Sequence, residues 1–580
     1  DKGYAFSKII GLLIFSFIAW YSSFFIKSNY SLVVSLSSIL LINFYILKNQ
    51  GISFDKKSAK ITEIIFISSF IIFCLIRSFT PAVEGLEKLF DISLINGILQ
   101  SEKLPPNDPW YSGYKINYYY FGHFVVATLT RITFLPSYIT FNLSLAMIYS
   151  ILAIEIFSIT YNITEKIKFG FFGIFLFLFL SNLLGFLQIL TFFKPELVDF
   201  FGKNFNIKYA MTCCHDPRQN FFSFLLTFPV WSSTRVIPNT INEFPYANFM
   251  FGEVHSHILS LPLQLLLIGL LLCLYNSKKY NFIFIPFSAL TLSTIYLTNS
   301  WDIPTYFALF SAVNIILFLE RRIKFKILLS YLFSTLILFA IFSLPYILTV
   351  NKKTSFGFTN EKSNIFQEFI LFPVFIFSIS YYYIKRNLKI FLYILIFSIV
   401  IYFLLQTQII IFLLPLIIFS IKEIVNNRKN TLIHLFILFG SLVMLFAEIF
   451  YIDSRYNTVF KFYYHIWIFW SVSSVFIIKE LKKDKIFISI LLILIILSLP
   501  MTIFATIDRF NQGINEGISL DGLKYMQKYH QDDYNLLMWA RKNIKQNEVI
   551  LEASGDAFTY TSIFSSYTGL QTPVGWNNHV

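Results

Sequence analysis

The 580 residues are 56% hydrophobic and only 13% charged, about half the charged share of a soluble globular protein. Repeated apolar runs of roughly 17–25 residues match bilayer-crossing helices, which excludes a soluble globular chain. A net charge of +14 raises nucleic acid as a partner, but most Lys and Arg stand in short loops between apolar runs, where they orient helices. The lipid bilayer is the expected partner, and nucleic acid is not.

In chain order, the sequence predicts spans at 9–26, 31–47, 61–76, 138–160, 168–193, 257–275, 280–298, 303–320, 326–350, 364–383, 390–404, 406–420, 432–450, 462–478 and 486–506. The pair 390–404 and 406–420 is short and reads either as two spans or as a re-entrant hairpin. The expected fold class is an all-α polytopic membrane protein of about 13–15 transmembrane helices. Three regions follow: two N-terminal helices in 1–60, a transmembrane core in 61–506 with large loops at 77–137 and 194–256, and a C-terminal domain at 507–580. The tail reads as a small α/β unit: DGLKYMQKYHQDDYNLLMWARKNI as helix, NEVILEAS as strand, then a loop rich in hydroxyls and amides. The chain starts at Asp1 and stops at Val580, which reads as clipped at both ends with a truncated last domain.

Orientation follows the basic pairs Lys56-Lys57, Lys278-Lys279, Arg321-Arg322, Lys385-Arg386, Arg428-Lys429 and Lys482-Lys483. All fall on one side, taken as cytoplasmic with the N-terminus, if the run 116–135 does not cross the bilayer. That run, INYYYFGHFVVATLTRITFL, carries His123 and Arg131 and suits an interfacial helix. The polar segments 77–137, 194–256, 299–302, 451–461 and 507–580 then share the extracytoplasmic face. Among the four cysteines, Cys74 and Cys273 lie in apolar runs, and the neighbours Cys213 and Cys214 define no disulfide framework.

Ionisable groups beside spans are functional candidates. Glu87 and Asp91, four apart after the span 61–76, share one helix face. They suit a general base or a grip on a divalent cation (Mg or Mn), against a plain solvated helix start. Asp108 follows in the same loop, and Asn117, Tyr119 and His123 in NYYYFGH either line a pocket or form an aromatic belt. Glu253, His255 and His257 face one way only in an extended segment, and suit a metal site, substrate hydrogen bonds or helix capping. Trp301-Asp302 at a span end suits a sugar or a helix cap. Arg455, Asn457 and Lys461 suit a phosphate, against an ion pair with Asp453 inside the loop.

Taken together, EKLFD, DPWYSGYKINYYYFGH, EFPYANFMFGEVHSH, NSWDIP, RYNTVFKFYYHIW and TGLQTPVGW resemble, in this order, the landmarks of the bacterial and archaeal YYY-domain membrane proteins. Relatives often carry His-Pro-His where this chain has His255-Ser256-His257, and they continue past the final Gly-Trp with acidic and Arg-containing sequence absent here. The family is similar in layout to the GT-C glycosyltransferase superfamily, whose members take sugars from polyprenyl-phosphate donors. That resemblance implies Glu87 or Asp91 as the acidic catalyst and 116–135 as a juxtamembrane helix. The expected function is therefore a membrane glycosyltransferase of the hexosyltransferase class, in the cell membrane with its active face outside. It would move sugar from a polyprenyl-phosphate donor to a glycan, lipid or protein acceptor. The alternative is a transporter or flippase for a lipid-linked or polar solute, which needs ionisable groups deep inside spans; these are few, with Glu155, Gln188 and Glu448 the main polar residues there and Glu448 near an outer end.

Overall fold

The computed structural model describes residues 3–50, 55–212, 220–228, 230–277, 281–351, 354–427, 430–546 and 548–579. The pairs Cys213-Cys214, Lys278-Lys279 and Arg428-Lys429 lie outside the described residues. The chain is 74% helical, and the two-stranded sheet among the described residues pairs Phe356–Phe358 with Phe450–Ile452 antiparallel. Among the described residues ten helices are long and apolar enough to cross a membrane, or up to 12 if each of two bent helix pairs counts as one span. The protein is an all-α polytopic membrane protein. Helices Phe284–Thr298, Ile410–Asn427 and Arg455–Leu481 occupy the other predicted spans.

Elementary physics explains why these segments are helical. Inside a bilayer each backbone N–H and C=O needs a partner, and a helix supplies it within the segment. Helix Lys56–Phe79 begins at Asp55, whose carboxylate accepts from Lys57 N and Ser58 N, satisfying the orphan donors of the first turn. Its 24 residues span about 36 Å, more than a hydrocarbon core of about 30 Å. It exposes Ile64, Ile67, Ile71, Ile72 and Leu75, an apolar face that belongs against lipid. Helix Ser28–Gln50 does the same with Val33, Leu36, Leu40, Phe44 and Leu47.

The run expected to lie along the surface forms helix Phe121–Thr133, whose 13 residues reach about 20 Å, too short to cross. Arg131 caps its neighbour: the guanidinium donates to Ile98 O at 2.8 Å and Leu99 O at 3.0 Å, at the C-terminus of helix Lys88–Gln100.

The chain folds as two compact units: Asp1–Glu155 with Gly252–Lys352 and Gln512–Val580, and Ile156–Phe251 with Lys353–Asn511. In the first unit the C-terminal segment docks on helix Lys88–Gln100 and the loop after it. Asn96 donates to Ser566 O at 2.8 Å, and Trp110 meets Trp576 with centroids 4.6 Å apart. The stretch NEVILEAS contributes one isolated bridge, Val549 to Gln571. In the second unit both helix breaks have local causes. Pro373 lacks an N–H and starts a new helix after Phe372, so Ile365–Leu371 and Pro373–Arg386 meet at 105°. Between Ile167–Phe179 and Leu184–Phe193, bent by 59°, Asn182 accepts from Leu184 N at 3.1 Å and donates to Ser233 O at 2.8 Å.

Candidate functional site

The first unit gathers most of the expected residues at the N-terminal end of helix Lys88–Gln100. The chain reaches it through a tight turn: Gly85 and Leu86 both have positive φ, 66° and 48°. For a leucine this conformation carries strain. The turn is held because Glu87 N donates to Glu253 Oε1 at 2.9 Å. Glu253 in turn follows Gly252, which has φ 73° and lies against the Arg77 guanidinium, where a Cβ would collide. Arg77, 2% exposed, donates to Asn142 Oδ1 at 2.8 and 3.2 Å. A buried cation thus fixes the backbone that aims Glu253.

The Glu87 carboxylate ion-pairs with His255 Nε2; the Glu87 side chain is 40% exposed and that of His255 5%. His255 Nδ1 lies 2.8 Å from His257 Nδ1, so exactly one proton sits between the two rings, and Tyr118 OH is 3.5 Å from His255 Nε2. Glu253 and His255 stand in residues 253–255, outside any helix or strand, and both contact Glu87; His257 lies inside helix Ser256–Asn276 and reaches His255 from there. One level deeper, Asp91 is fully buried, with Oδ1 3.2 Å from His123 Nε2. Burial pulls the His123 imidazole down, to about 3, against a backbone hydrogen bond at Val254, so the ring is neutral and one proton lies between its Nε2 and the Asp91 carboxyl. Burial and then the neighbouring Tyr119, Glu87 and Asp91 hold the Tyr118 phenol well above its ordinary value, and it remains a donor. Tyr119 is likewise raised, by burial first, with Glu87, Asp302 and the hydrogen-bonded Trp301 around it.

Asp302, 1% exposed, closes the other side. Oδ2 accepts from Ser260 at 2.6 Å and Gln264 at 2.7 Å, and Oδ1 accepts from Asn299 at 2.9 Å. Tyr306 donates to Gln264 Oε1 at 2.8 Å and fixes that amide. Asp302 is therefore held by neutral donors from its own loop and from helix Ser256–Asn276. Ser260, Gln264 and Tyr306 are site residues that no motif in the sequence marks. Their signal was two polar residues four apart, Ser260 and Gln264, in an otherwise apolar span.

Next to this polar cluster lies a small apolar cavity of about 40 Å³, lined by residues such as Leu13, Val126, Ile151 and Leu263. Its lining also includes Gly122, Leu259 and Thr298, the chain neighbours of His123, Ser260 and Asn299. Gly122 is needed there: a Cβ would lie 2.8 Å from Leu259 and 2.9 Å from Thr298 Cγ2.

Other expected site residues stand elsewhere. Asp108 accepts from Trp110 N at 2.9 Å and pairs with His579 Nε2 at 2.8 Å, so it anchors the C-terminal segment. Asn117 exchanges two hydrogen bonds with the Asn351 backbone, at 2.9 and 3.1 Å. Arg455, Asn457 and Lys461 belong to the second unit. There Arg455 meets Glu448 at 3.0 Å and Glu361 at 3.7 Å, the Asn457 backbone N–H is capped by Ser454 at 3.2 Å, and the buried Lys461 lies over the Phe460 ring. Glu87, Asp91, His255 and His257 split into a Glu87–His255–His257 chain and an Asp91–His123 pair. Among the described residues no group of three or more His, Cys, Asp or Glu is arranged to hold a metal ion.

No curated protein matches the chain. A model of the family described as uncharacterized membrane protein (DUF2298) matches residues 13–470, so the chain belongs to that family of membrane proteins.

Proposed function

We propose that the protein is a membrane glycosyltransferase that moves a sugar, of the hexosyl class, from a polyprenyl-phosphate donor to an acceptor on the extracytoplasmic face of the cell membrane. The observation that carries this reading is Glu87: a carboxylate 40% exposed, paired to a buried histidine, at the mouth of a cluster of otherwise buried acids. Glu87 takes the proton of the acceptor hydroxyl, and His255 with His257 shares the charge that arrives. Tyr118, Tyr119 and Trp301 offer hydroxyls and an aromatic face to a sugar, and Asp91 with His123 keeps the floor rigid. A lipid-linked donor, rather than a free nucleotide sugar, is what the resemblance to GT-C proteins implies. The resemblance to YYY-domain and GT-C proteins adds to the prior for this chemistry and does not replace the site. No step is routed through a metal, and Arg455, already matched by Glu448 and Glu361, serves as a structural cation in this reading.

A transporter reading is favoured by one observation. Glu155, on helix Ser137–Thr164, is fully buried and neither carboxyl oxygen has a hydrogen-bond partner among the described residues, as in proton-handling spans. Transfer of radiolabelled sugar from a panel of polyprenyl-phosphate donors by the purified protein separates the two. The glycosyltransferase reading expects transfer by wild type and its loss in Glu87→Gln. Absence of transfer from every donor, together with solute flux in proteoliposomes abolished by Glu155→Gln, would replace it with transport.

A further inference from the structure

The second unit carries a different cluster of ionisable groups, built where three segments end together. Residues 359–364 lead into helix Ile365–Leu371, helix Thr431–Ile449 ends with Glu448 in its last turn, and helix Arg455–Leu481 begins at Arg455. Glu368 and Glu448 are both fully buried, and Ser363 joins them. Ser363 Oγ lies 2.8 Å from Glu368 Oε1 and 2.5 Å from Glu448 Oε1. A serine hydroxyl has one proton and can donate to only one of these oxygens. With both carboxyls ionised, the second contact would set lone pair against lone pair at hydrogen-bond distance.

The surroundings say which carboxyl keeps its charge. Glu448 accepts from the Arg455 guanidinium at 3.0 Å and from Ser363 N at 2.9 Å. Among the described residues no cation lies at hydrogen-bond distance from Glu368; Oε1 accepts from Tyr463 OH at 2.6 Å, and Oε2 is buried without a hydrogen bond among the described residues. An ionised oxygen in that position costs far more than a neutral one. The other charged groups are accounted for. Lys362 Nζ rests on the backbone carbonyls of Thr359 and Glu448, and Glu361, 57% exposed, stands 3.7 Å from Arg455. On helix Arg455–Leu481 the other titratable groups near the cluster in sequence are Lys461, Tyr464 and His465. Glu368 also sits on the short arm of a helix broken by 105°, the kind of interruption at which membrane proteins place ion and proton sites.

We propose that Glu368, Ser363 and Glu448 together hold one proton, making this cluster a proton-binding site of the second unit. The proton resides on Glu368 and is donated to Ser363 Oγ, whose own hydroxyl donates to Glu448. The contacts are direct hydrogen bonds, with no gap for a metal cation between the oxygens. The site is independent of the glycosyl-transfer reading.

Infrared spectroscopy of the purified protein tests this, because a protonated buried carboxyl has its own C=O stretch. Wild type at neutral pH should show a band that Glu368→Gln removes and that disappears as pH rises, with release of one proton per chain. Gln is a fair substitute: its amide N–H donates to Ser363 and its oxygen accepts from Tyr463, as the neutral acid does. Tyr463→Phe removes a donor that favours the ionised form, so the band should persist to higher pH. This second variant decides the matter if Glu368→Gln does not fold. Absence of any band removed by Glu368→Gln, an unmoved midpoint in Tyr463→Phe, or loss of the band on adding sodium but not choline at fixed pH would overturn the proposal, the last in favour of a cation site.

Discussion

The two clusters differ in what surrounds similar groups. In the first unit, carboxylates meet imidazoles, phenols and amides, and one of them, Glu87, opens to solvent at 40% exposure. In the second, Glu368 and Glu448 are closed off completely and share a serine, while the arginine sits on Glu448. A carboxylate with an open side and a histidine behind it can exchange a proton with a substrate. A closed acid pair stores a proton or stabilises the fold. The same residue type beside a membrane span therefore has two physical uses, and exposure together with the kind of partner decides between them.

Substitutions at the two clusters should break in different currencies. The largest effect expected is on transfer: Glu87→Gln should lower the rate by ~10²–10⁴-fold, the range of a general base, with the thermal midpoint little changed. Asp91→Asn should lose transfer together with stability, because Asp91 is buried against His123. Next, Arg455→Met should cost about 3–5 kcal/mol of stability by leaving Glu448 buried without its cation. Joint replacement Arg455→Met with Glu448→Gln should recover much of that loss in the same unfolding assay. Smaller again, Gly122→Ala should destabilise by about 1–3 kcal/mol, since its Cβ overlaps Leu259 and Thr298. A metal contribution is checked in the transfer assay by adding chelator and then Mg or Mn. Unchanged rates would place the charge stabilisation on the histidines alone.

Much of the fold was legible because a bilayer leaves a segment few choices. Apolar runs of span length had to be helices, and each predicted span corresponds to a helix or a broken pair. Keeping the basic loops on one side required that 116–135 not cross, and Phe121–Thr133 is too short to cross, although most of its residues are buried in the fold. The breaks were harder to see, because a 105° bend at Pro373 arises inside one apolar run. At the site, pattern identified the acids and histidines but not their pairing. Spacing put Glu87 and Asp91 on one helix face, yet Glu87 precedes the helix and reaches His255, whereas Asp91 reaches His123. Glu253 and His255 do share a direction, since both contact Glu87, whereas His257 sits inside the following helix. Asp108 and Asn117 were attractive by composition, and their partners His579 and Asn351 lie hundreds of residues away in sequence. Ser363 and Glu368 gave no motif at all, because their meaning comes from Glu448, 80 or more residues further on.

The central claim is that the first unit's cluster performs chemistry and the second unit's does not. Its most direct test is sugar transfer from polyprenyl-phosphate donors measured side by side for wild type, Glu87→Gln and Glu368→Gln, each shown to be folded. The account predicts loss of at least ~10²-fold in Glu87→Gln and transfer near the wild-type rate in Glu368→Gln. Full transfer by Glu87→Gln, or loss confined to Glu368→Gln, would contradict it.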